Sequence, residues 1–211
     1  MLTNIHWLGH DSFKISGERV IYIDPWQLEN PERADIVLVT HEHRDHLSRP
    51  DIEQISDEHT TVVATAACAA QLERIVNVVI VAPGDNSTVQ GVPIEVIPAY
   101  NVNKYRSEGV HFHPKEAGGV GYIVTVGGKR IYHAGDSDLT PEMMKVDADI
   151  VLLPVSGRAV MTAEEAADAV RSIRPEVAIP MHYGSIMGSI DDATRFKQLS
   201  PVPVEILEKS S

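Results

Sequence analysis

The sequence predicts one α/β domain in which two β-sheets pack together and helices lie outside them. Its 211 residues suit a single compact core, and no linker, repeat or low-complexity tract divides the chain. The first half is rich in short apolar runs typical of strands, whereas strand and helix patterns alternate in the second half. Stacked sheets with outer helices would bury both kinds of element, so residues 1–211 form one predicted domain.

Strands dominate the first half because short apolar runs are separated by glycine and polar turns. The run from Ala34 to Val39 is apolar and β-branched, which is typical of a fully buried strand. A helical stretch is expected from about Ala67 to Ile75. The predicted strands are His6 to Leu8, Ser12 to Ile15, Val20 to Ile23, Ala34 to Val39, Thr61 to Thr65, Val78 to Val81, Thr88 to Val89 and Ile94 to Ile97.

The middle of the chain, residues 101–121, is polar, contains several glycines and has no clear period. A loop of this length in a compact domain usually has a function or is disordered. Regular patterns then resume. Tyr122 to Val126 and Arg130 to His133 predict a hairpin that turns at Gly127-Gly128.

The last third of the chain alternates strands with helices. Ile150 to Leu153 and Val177 to Ile179 read as buried strands. Between them, Thr162 and Glu165 form a capping box that begins a helix, and Pro175 ends it. Its apolar face comprises Ala163, Ala166, Ala167, Val170 and Ile173. A final helix is predicted from Ile190 to Leu199, capped by Ser189.

The charge of the chain limits its partners. The net charge is -12, from 18 basic and 30 acidic residues, which argues against nucleic acid as a partner. A small anionic substrate stays compatible, because bound metal ions reverse the potential locally. We expect no membrane partner and a cytoplasmic location, since no signal peptide or long apolar run is present. The single cysteine, Cys68, rules out an intrachain disulfide and is predicted to be a packed core thiol. A homo-oligomer is possible.

Metal-binding residues are concentrated directly after the buried strand Ala34 to Val39. His41, His43, Asp45 and His46 place four metal-capable side chains within six residues. Imidazole and carboxylate suit zinc, iron or manganese. The end of a strand supplies the rigid support that a metal site requires. A His-rich solvated loop is the alternative, but three histidines and an aspartate in this order favour a metal site.

This segment resembles the H-x-H-x-D-H signature of the metallo-β-lactamase superfamily. Further segments extend the resemblance over nearly the whole chain: Asp24-Pro25, Ala134-Gly135-Asp136 and Pro180-Met181-His182-Tyr183-Gly184. The opening Gly9-His10-Asp11-Ser12-Phe13 is similar to that of the ascorbate-6-phosphate lactonase-like branch, and N-acyl-phosphatidylethanolamine phospholipase D has a related opening. The resemblance implies a four-layer αββα sandwich and two divalent metal ions per chain, with zinc favoured over manganese or iron.

The resemblance also implies how the ligands divide. His41 and His43 would bind the first metal with a third histidine. Asp45, His46 and His182 would bind the second, and Asp136 would bridge the two. Many relatives carry the third histidine in a P-A-x-H segment, but this chain reads Pro98-Ala99-Tyr100-Asn101.

A related subgroup follows P-A-Y-N with F-H-P-K, as this chain does at Phe112-His113-Pro114-Lys115. His113 is therefore the expected third histidine, with His111 as the alternative.

Several residues are expected around the ligands. By resemblance, Asp24 supports the metal-binding loop through hydrogen bonds. His10, Tyr100 and His133 are candidates for outer-shell or proton-transfer roles. The loop at residues 101–121 also carries Lys104, Tyr105, Arg106 and Lys115. These basic side chains predict either a lid that recognises an anionic group, for which Lys104 and Lys115 are the candidates, or an ordinary solvated loop.

The expected chemistry is hydrolysis of an ester, lactone or phosphodiester in a small molecule. Two neighbouring divalent metals generate hydroxide from water near neutral pH, and Asp45 could orient or deprotonate that nucleophile. A nuclease is an alternative, disfavoured by the charge of -12. A non-hydrolytic iron protein is another. Flavodiiron-type proteins would require a carboxylate where His43 stands, whereas a one-iron persulfide dioxygenase is harder to exclude.

Overall fold

The computed structural model describes residues 2–75 and 77–210. The first half of the chain forms one six-stranded sheet whose strands are adjacent in chain order. Neighbours among the first three strands are antiparallel, and the remaining neighbours are parallel. These strands are β1 (Ile5–Gly9), β2 (Ser12–Ile15), β3 (Ile21–Ile23), β4 (Ile36–Val39), β5 (Thr61–Thr65) and β6 (Val78–Val81).

A second six-stranded sheet and a small hairpin contain the remaining strands. These are β7 (Asn86–Val89), β8 (Val92–Pro98), β9 (Tyr105–Ser107), β10 (Val110–His111), β11 (Val120–Val126), β12 (Lys129–His133), β13 (Ile150–Pro154) and β14 (Val177–Met181). The order in the sheet is β14-β13-β12-β11-β8-β7, and β9 pairs with β10 in the hairpin. The predicted hairpin across Gly127-Gly128 is confirmed, because β11 and β12 pair in antiparallel register.

Within residues 2–75 and 77–210, four α-helices lie on the two outer faces. They are α1 (Arg49–Ile55), α2 (Ala66–Ala69), α3 (Ala163–Ile173) and α4 (Ile190–Leu199). Alternation along β4 shows the layering. Ile36 and Leu38 join the core between the sheets, whereas Val37 and Val39 pack in a separate cluster with residues of α1 and α2. Helices α3 and α4 contact β13 and β14 on the far side, so the predicted αββα order is present.

The helix predictions were accurate in the second half and less so in the first. The Thr162 and Glu165 capping box begins α3, and Ser189 caps α4. The helix expected from Ala67 to Ile75 is shorter, because hydrogen bonds beyond Ala70 become i to i−3 and form turns. Helix α1 was not predicted. It is only seven residues long, but it buries Ile52 and Ile55.

The segment at residues 101–121 is an ordered, compact excursion between β8 and β11. It contains the hairpin β9–β10 and a 3-10 turn at Lys115–Ala117. The three residues of β9 are all exposed, so no alternation of apolar and polar residues marked this strand in the sequence. Two further 3-10 turns lie at Leu2–Asn4 and Met143–Lys145.

Candidate metal centre

The predicted ligands converge at one edge of the sandwich, just beyond the ends of several strands. The segment Thr40 to His46 follows β4, Asp136 follows β12 and His182 follows β14. Gly135 permits this convergence: its φ is +61°, and a Cβ there would lie 2.6 Å from the carbonyl oxygen of Val120. Any larger residue would collide with the backbone of the adjacent strand, β11.

A first group of ligand atoms comprises His41, His43, His113 and Asp136, all within 4.8 Å of one another. The Nδ1 atom of His43 lies 3.0 Å from Nε2 of His41 and 3.1 Å from Nε2 of His113. A tetrahedral zinc ion with Zn–N distances of about 2.0–2.1 Å has ligand atoms about 3.3 Å apart. The spacing therefore fits a single metal ion.

A second group is buried deeper. Asp136 Oδ1 lies 3.4 Å from Nε2 of His46, and Asp136 Oδ2 lies 3.5 Å from Nε2 of His182. Asp45 Oδ2 lies 3.8 Å from the same His46 nitrogen. Since Asp136 also lies 3.3 Å from His113 Nε2, its carboxylate is common to both groups.

The other nitrogen of four of these imidazoles is already engaged. Nδ1 of His46 donates to Asp24 at 2.7 Å, and Nδ1 of His182 contacts Ser156 Oγ at 2.8 Å. Nδ1 of His41 contacts Thr40 Oγ1 at 3.0 Å, and Nδ1 of His113 lies 3.1 Å from Asn101 Oδ1. Each Nε2 is thereby directed towards the cluster, as metal-binding histidines require.

Several buried atoms in the cluster have no hydrogen-bond partner among the described residues. They include His46 Nε2, Asp136 Oδ1 and both side-chain oxygens of Asp11. Polar atoms buried without partners are strongly unfavourable unless they bind an ion or water. The donor set, its spacing and these orphan atoms together fit divalent metal ions.

Carboxylates and imidazoles in the cluster shift one another's pKa values. Burial opposes ionisation of Asp136, but His46 and His182 outweigh it and hold its pKa well below the usual range. Burial likewise opposes a charge on His182, yet Asp11 and Asp136 raise its pKa to about 9. Burial disfavours the charged form of Asp45, but the hydrogen bond from His10 and the charge of His46 lower its pKa to about 2. The carboxylates thus stay ionised and attract positive charge.

Three residues of the site have left-handed backbone conformations that are uncommon outside glycine. The φ angles are +52° at His10, +46° at Asp24 and +59° at His182. Such strain persists only where surrounding contacts impose it, and it is frequent at functional sites. Here it turns each side chain inward at the end of a strand or in a tight turn.

The expected support from Asp24 has a clear geometry. Its carboxylate accepts from the backbone N–H of Thr40 at 2.8 Å and from the hydroxyl of Thr40 at 2.6 Å, besides the bond from His46. The side chain is fully buried. Asp24 therefore holds the start of the metal-binding loop against β3.

The structure brings His113, and not His111, into the cluster. The ring of His111 stacks on Tyr105 at 4.3 Å, away from the ligand atoms. Asn101 explains the departure from P-A-x-H: its Oδ1 accepts from the His113 backbone N–H at 2.8 Å, and its Nδ2 donates to the Ala159 carbonyl at 2.7 Å. Asn101 thus anchors the segment that carries the ligand, a role not foreseen from the sequence.

The other expected surrounding residues take different positions. His10 Nε2 lies 3.1 Å from Asp45 Oδ2 and adjoins the second group. His133 Nε2 donates to the Asp11 carbonyl at 2.8 Å, because its Nδ1 accepts from Gly135 N–H. The Tyr100 hydroxyl instead bonds Glu142 at 2.8 Å, so it lies outside the ligand groups. Asp11 and Ser156 belong to the site but were missed in the sequence, where they stand alone beside stronger motifs.

A small open cleft leads to the first group. Apolar residues Ala99, Phe112, Pro114 and Val120 line it with the ligands. Lys104 pairs with Glu165 at 2.7 Å, and Lys115 pairs with Glu142 at 2.8 Å. Both lysines are therefore engaged by carboxylates in the free protein.

Comparison with known proteins agrees with this geometry. A family model described as a β-lactamase superfamily domain matches residues 4–182. The chain belongs to the metallo-β-lactamase superfamily. It is 36% identical to a UPF0173 metal-dependent hydrolase of Methanopyrus kandleri, over 92% of this chain and 90% of that relative. The chain thus belongs to a family of metal-dependent hydrolases. These matches do not assign it to the lactonase-like or phospholipase D-like branch.

Solved structures show the same fold. One from Parabacteroides distasonis, ascribed to a metal-dependent hydrolase, has a TM-score of 0.85 and 31% identity, covering 98% of this chain and 93% of that one. A metallo hydrolase from Ignicoccus hospitalis has a TM-score of 0.78 and 25% identity, covering 98% and 95%. Among the described residues, no helix has the length and apolar character needed to cross a membrane.

Proposed function

We propose that the protein is a hydrolase that uses two divalent metal ions to cleave an ester, lactone or phosphodiester bond in a small molecule. The observation that carries the proposal is that the Asp136 carboxylate lies against both groups, 3.3 Å from His113 Nε2 and 3.4 Å from His46 Nε2. Metals bound in such pairs supply Lewis acidity and lower the pKa of water. Zinc is the favoured ion, with manganese or iron as alternatives.

Asp45 is the residue best placed to handle the attacking water. Its side chain is 20% exposed, whereas those of Asp136 and Asp11 are 5% and 0% exposed. The bond to His10 holds it at the edge of the cluster. We propose that Asp45 orients the water and accepts its proton, and that His10 fixes the carboxylate in position.

The cleft favours a small substrate over a polymer. Its apolar wall, formed by Phe112 and Pro114 among others, suits a hydrocarbon portion beside the scissile bond. The net charge of -12 disfavours a nucleic-acid substrate. Cytoplasmic location and self-association remain predictions from the sequence alone.

Metal content and hydrolysis measured on the same preparation test the proposal. The metal-free protein is reloaded with Zn²⁺, Mn²⁺ or Fe²⁺, counted by elemental analysis, and assayed against bis-p-nitrophenyl phosphate and a panel of lactones. We expect about two ions per chain and turnover that H41A abolishes. The control is H59A, because the His59 side chain is 85% exposed and lies outside the cluster. Failure to retain any metal, or equal activity in H41A, would refute the proposal.

A further inference from the structure

We propose that Asp11 is an additional ligand of the second metal, making that position oxygen-rich with five protein ligands. The others are Asp45, His46, Asp136 and His182. The inference rests on the two-metal proposal above and concerns the chemical character of one of its two positions.

The burial of the Asp11 carboxylate among imidazole nitrogens is the main observation, and the nearest of them, His10 Nε2, lies 3.3 Å from Asp11 Oδ2. Its side chain is fully buried, and neither oxygen has a hydrogen-bond partner in the part of the chain that the structure describes. Its Oδ2 lies 3.5 Å from His46 Nε2 and 3.9 Å from His182 Nε2. These are the nitrogens that Asp24 and Ser156 leave free by engaging the opposite side of each ring. A shared cation satisfies the carboxylate and both nitrogens together.

The backbone around Asp11 is held from three sides. The Trp7 indole N–H donates to the carbonyl of His10 at 2.9 Å, and the backbone N–H of His182 donates to that same carbonyl at 3.1 Å. His133 donates to the Asp11 carbonyl at 2.8 Å. The turn between β1 and β2 therefore presents this carboxylate to the cluster in a fixed position, as a preorganised ligand requires.

The additional ligand makes the two positions chemically different. The first group has three imidazoles and one carboxylate, a set that suits four-coordinate zinc. With Asp11, the second has three carboxylates and two imidazoles. A larger, oxygen-rich shell suits Mn²⁺ or Fe²⁺ better than tetrahedral zinc. We therefore infer that the second position discriminates less against these ions than the first.

Metal binding by D11N tests the assignment. The amide keeps the size of the side chain and removes its charge. Stripped protein is titrated with Mn²⁺ and Zn²⁺, bound ions are counted, and visible spectra are recorded after loading with Co²⁺, whose absorption strengthens when coordination falls from five to four. We expect the first ion to bind as in the unchanged protein and the second to bind about 100-fold more weakly. The band of the second Co²⁺ should also intensify.

The matched control is D149N. Asp149 accepts from Arg130 N–H at 2.8 Å at the opposite ends of β12 and β13, away from the cluster. It should bind both ions normally. If D11N does not fold, D11S carries the same prediction. In the metal-free state D11N should melt no lower than the unchanged protein, because it lacks a buried unpaired charge.

The outcomes separate the two proposals. Two ions of unchanged affinity in D11N would overturn the role of Asp11 while leaving the two-metal site intact. Weaker binding with an unaltered Co²⁺ spectrum would also overturn it, since Asp11 would then act only through its neighbours. A single ion in the unchanged protein would refute the two-metal proposal itself.

Discussion

The two halves of the metal centre are built in different ways. The first group is open to the cleft, includes the exposed His43 and depends on His113 from a long excursion of the chain. In the second group His46, Asp136 and His182 are buried, while Asp45 lies at its edge, and His182 has a strained backbone. The first group is thus the open half, suited to receive substrate, while the second is the buried half, with His46 and His182 held by hydrogen bonds to Asp24 and Ser156.

The largest effect is expected at His113, the ligand that lies in the segment at residues 101–121. H113A should empty the first position and reduce hydrolysis by more than the roughly 10–100-fold typical of outer-sphere partners. H111A is the control, because His111 stacks on Tyr105 outside the cluster. Metal counting on both variants decides the assignment; the opposite order of effects would return it to His111.

In the buried half, the largest loss of metal affinity is expected when Asp24 is changed. D24N should weaken the second ion by about 10–100-fold, because the amide cannot accept all three bonds that the carboxylate receives from Thr40 and His46. Competition with a chelator measures the affinity. D35N, which changes a partly exposed carboxylate beside Val20, serves as control. Equal loss at both positions would show that the halves are not independent.

Asn101 anchors His113 in the open half, so its substitution should weaken binding of the first ion alone. N101A removes the acceptor of the His113 backbone N–H, so the first ion should bind about 10-fold more weakly while the second is retained. Isothermal titration resolves the two steps. A defect confined to the second ion would contradict the role of Asn101.

A smaller effect, on KM, is expected from Lys115 in the segment at residues 101–121. The Lys115 side chain is 55% exposed and paired with Glu142, so solvent screens its charge and the effect of removing it should be small. If it recognises an anionic group, K115M should raise KM for anionic substrates by up to about 5-fold, with kcat unchanged. E142Q releases the lysine and should shift KM the other way. Unchanged KM in both variants would favour an ordinary solvated loop.

The smallest effect is expected at Cys68, which belongs to neither half of the metal centre. Burial raises the pKa of its thiol to about 12, and its side chain is fully enclosed. The folded protein should therefore not react with a disulfide reagent at neutral pH, and denaturant should expose one thiol per chain. C68A should retain hydrolysis. Rapid labelling of the folded protein would contradict a packed core thiol.

The sequence by itself determined the α/β class, most strands, both long helices and the contiguous ligand motif. Alternation, capping residues and a cluster of histidines are local signals that survive in the order of residues. The same reasoning placed Asp136 and His182 after strands, because ligands follow strand ends in this superfamily. It missed α1 and the exposed hairpin β9–β10, which are too short or too polar to carry a pattern.

Only the tertiary structure decided which distant groups lie together in the candidate metal centre. Asp11 stands alone in the sequence, yet the turn after β1 brings it beside His46 and His182. Asn101 looks like a lost ligand until its contacts with His113 and Ala159 are seen. Tyr100 looks like part of the site until its hydroxyl is found at Glu142. The physical reason is that ligand geometry depends on side-chain direction and on contacts between remote segments, which residue order does not encode locally.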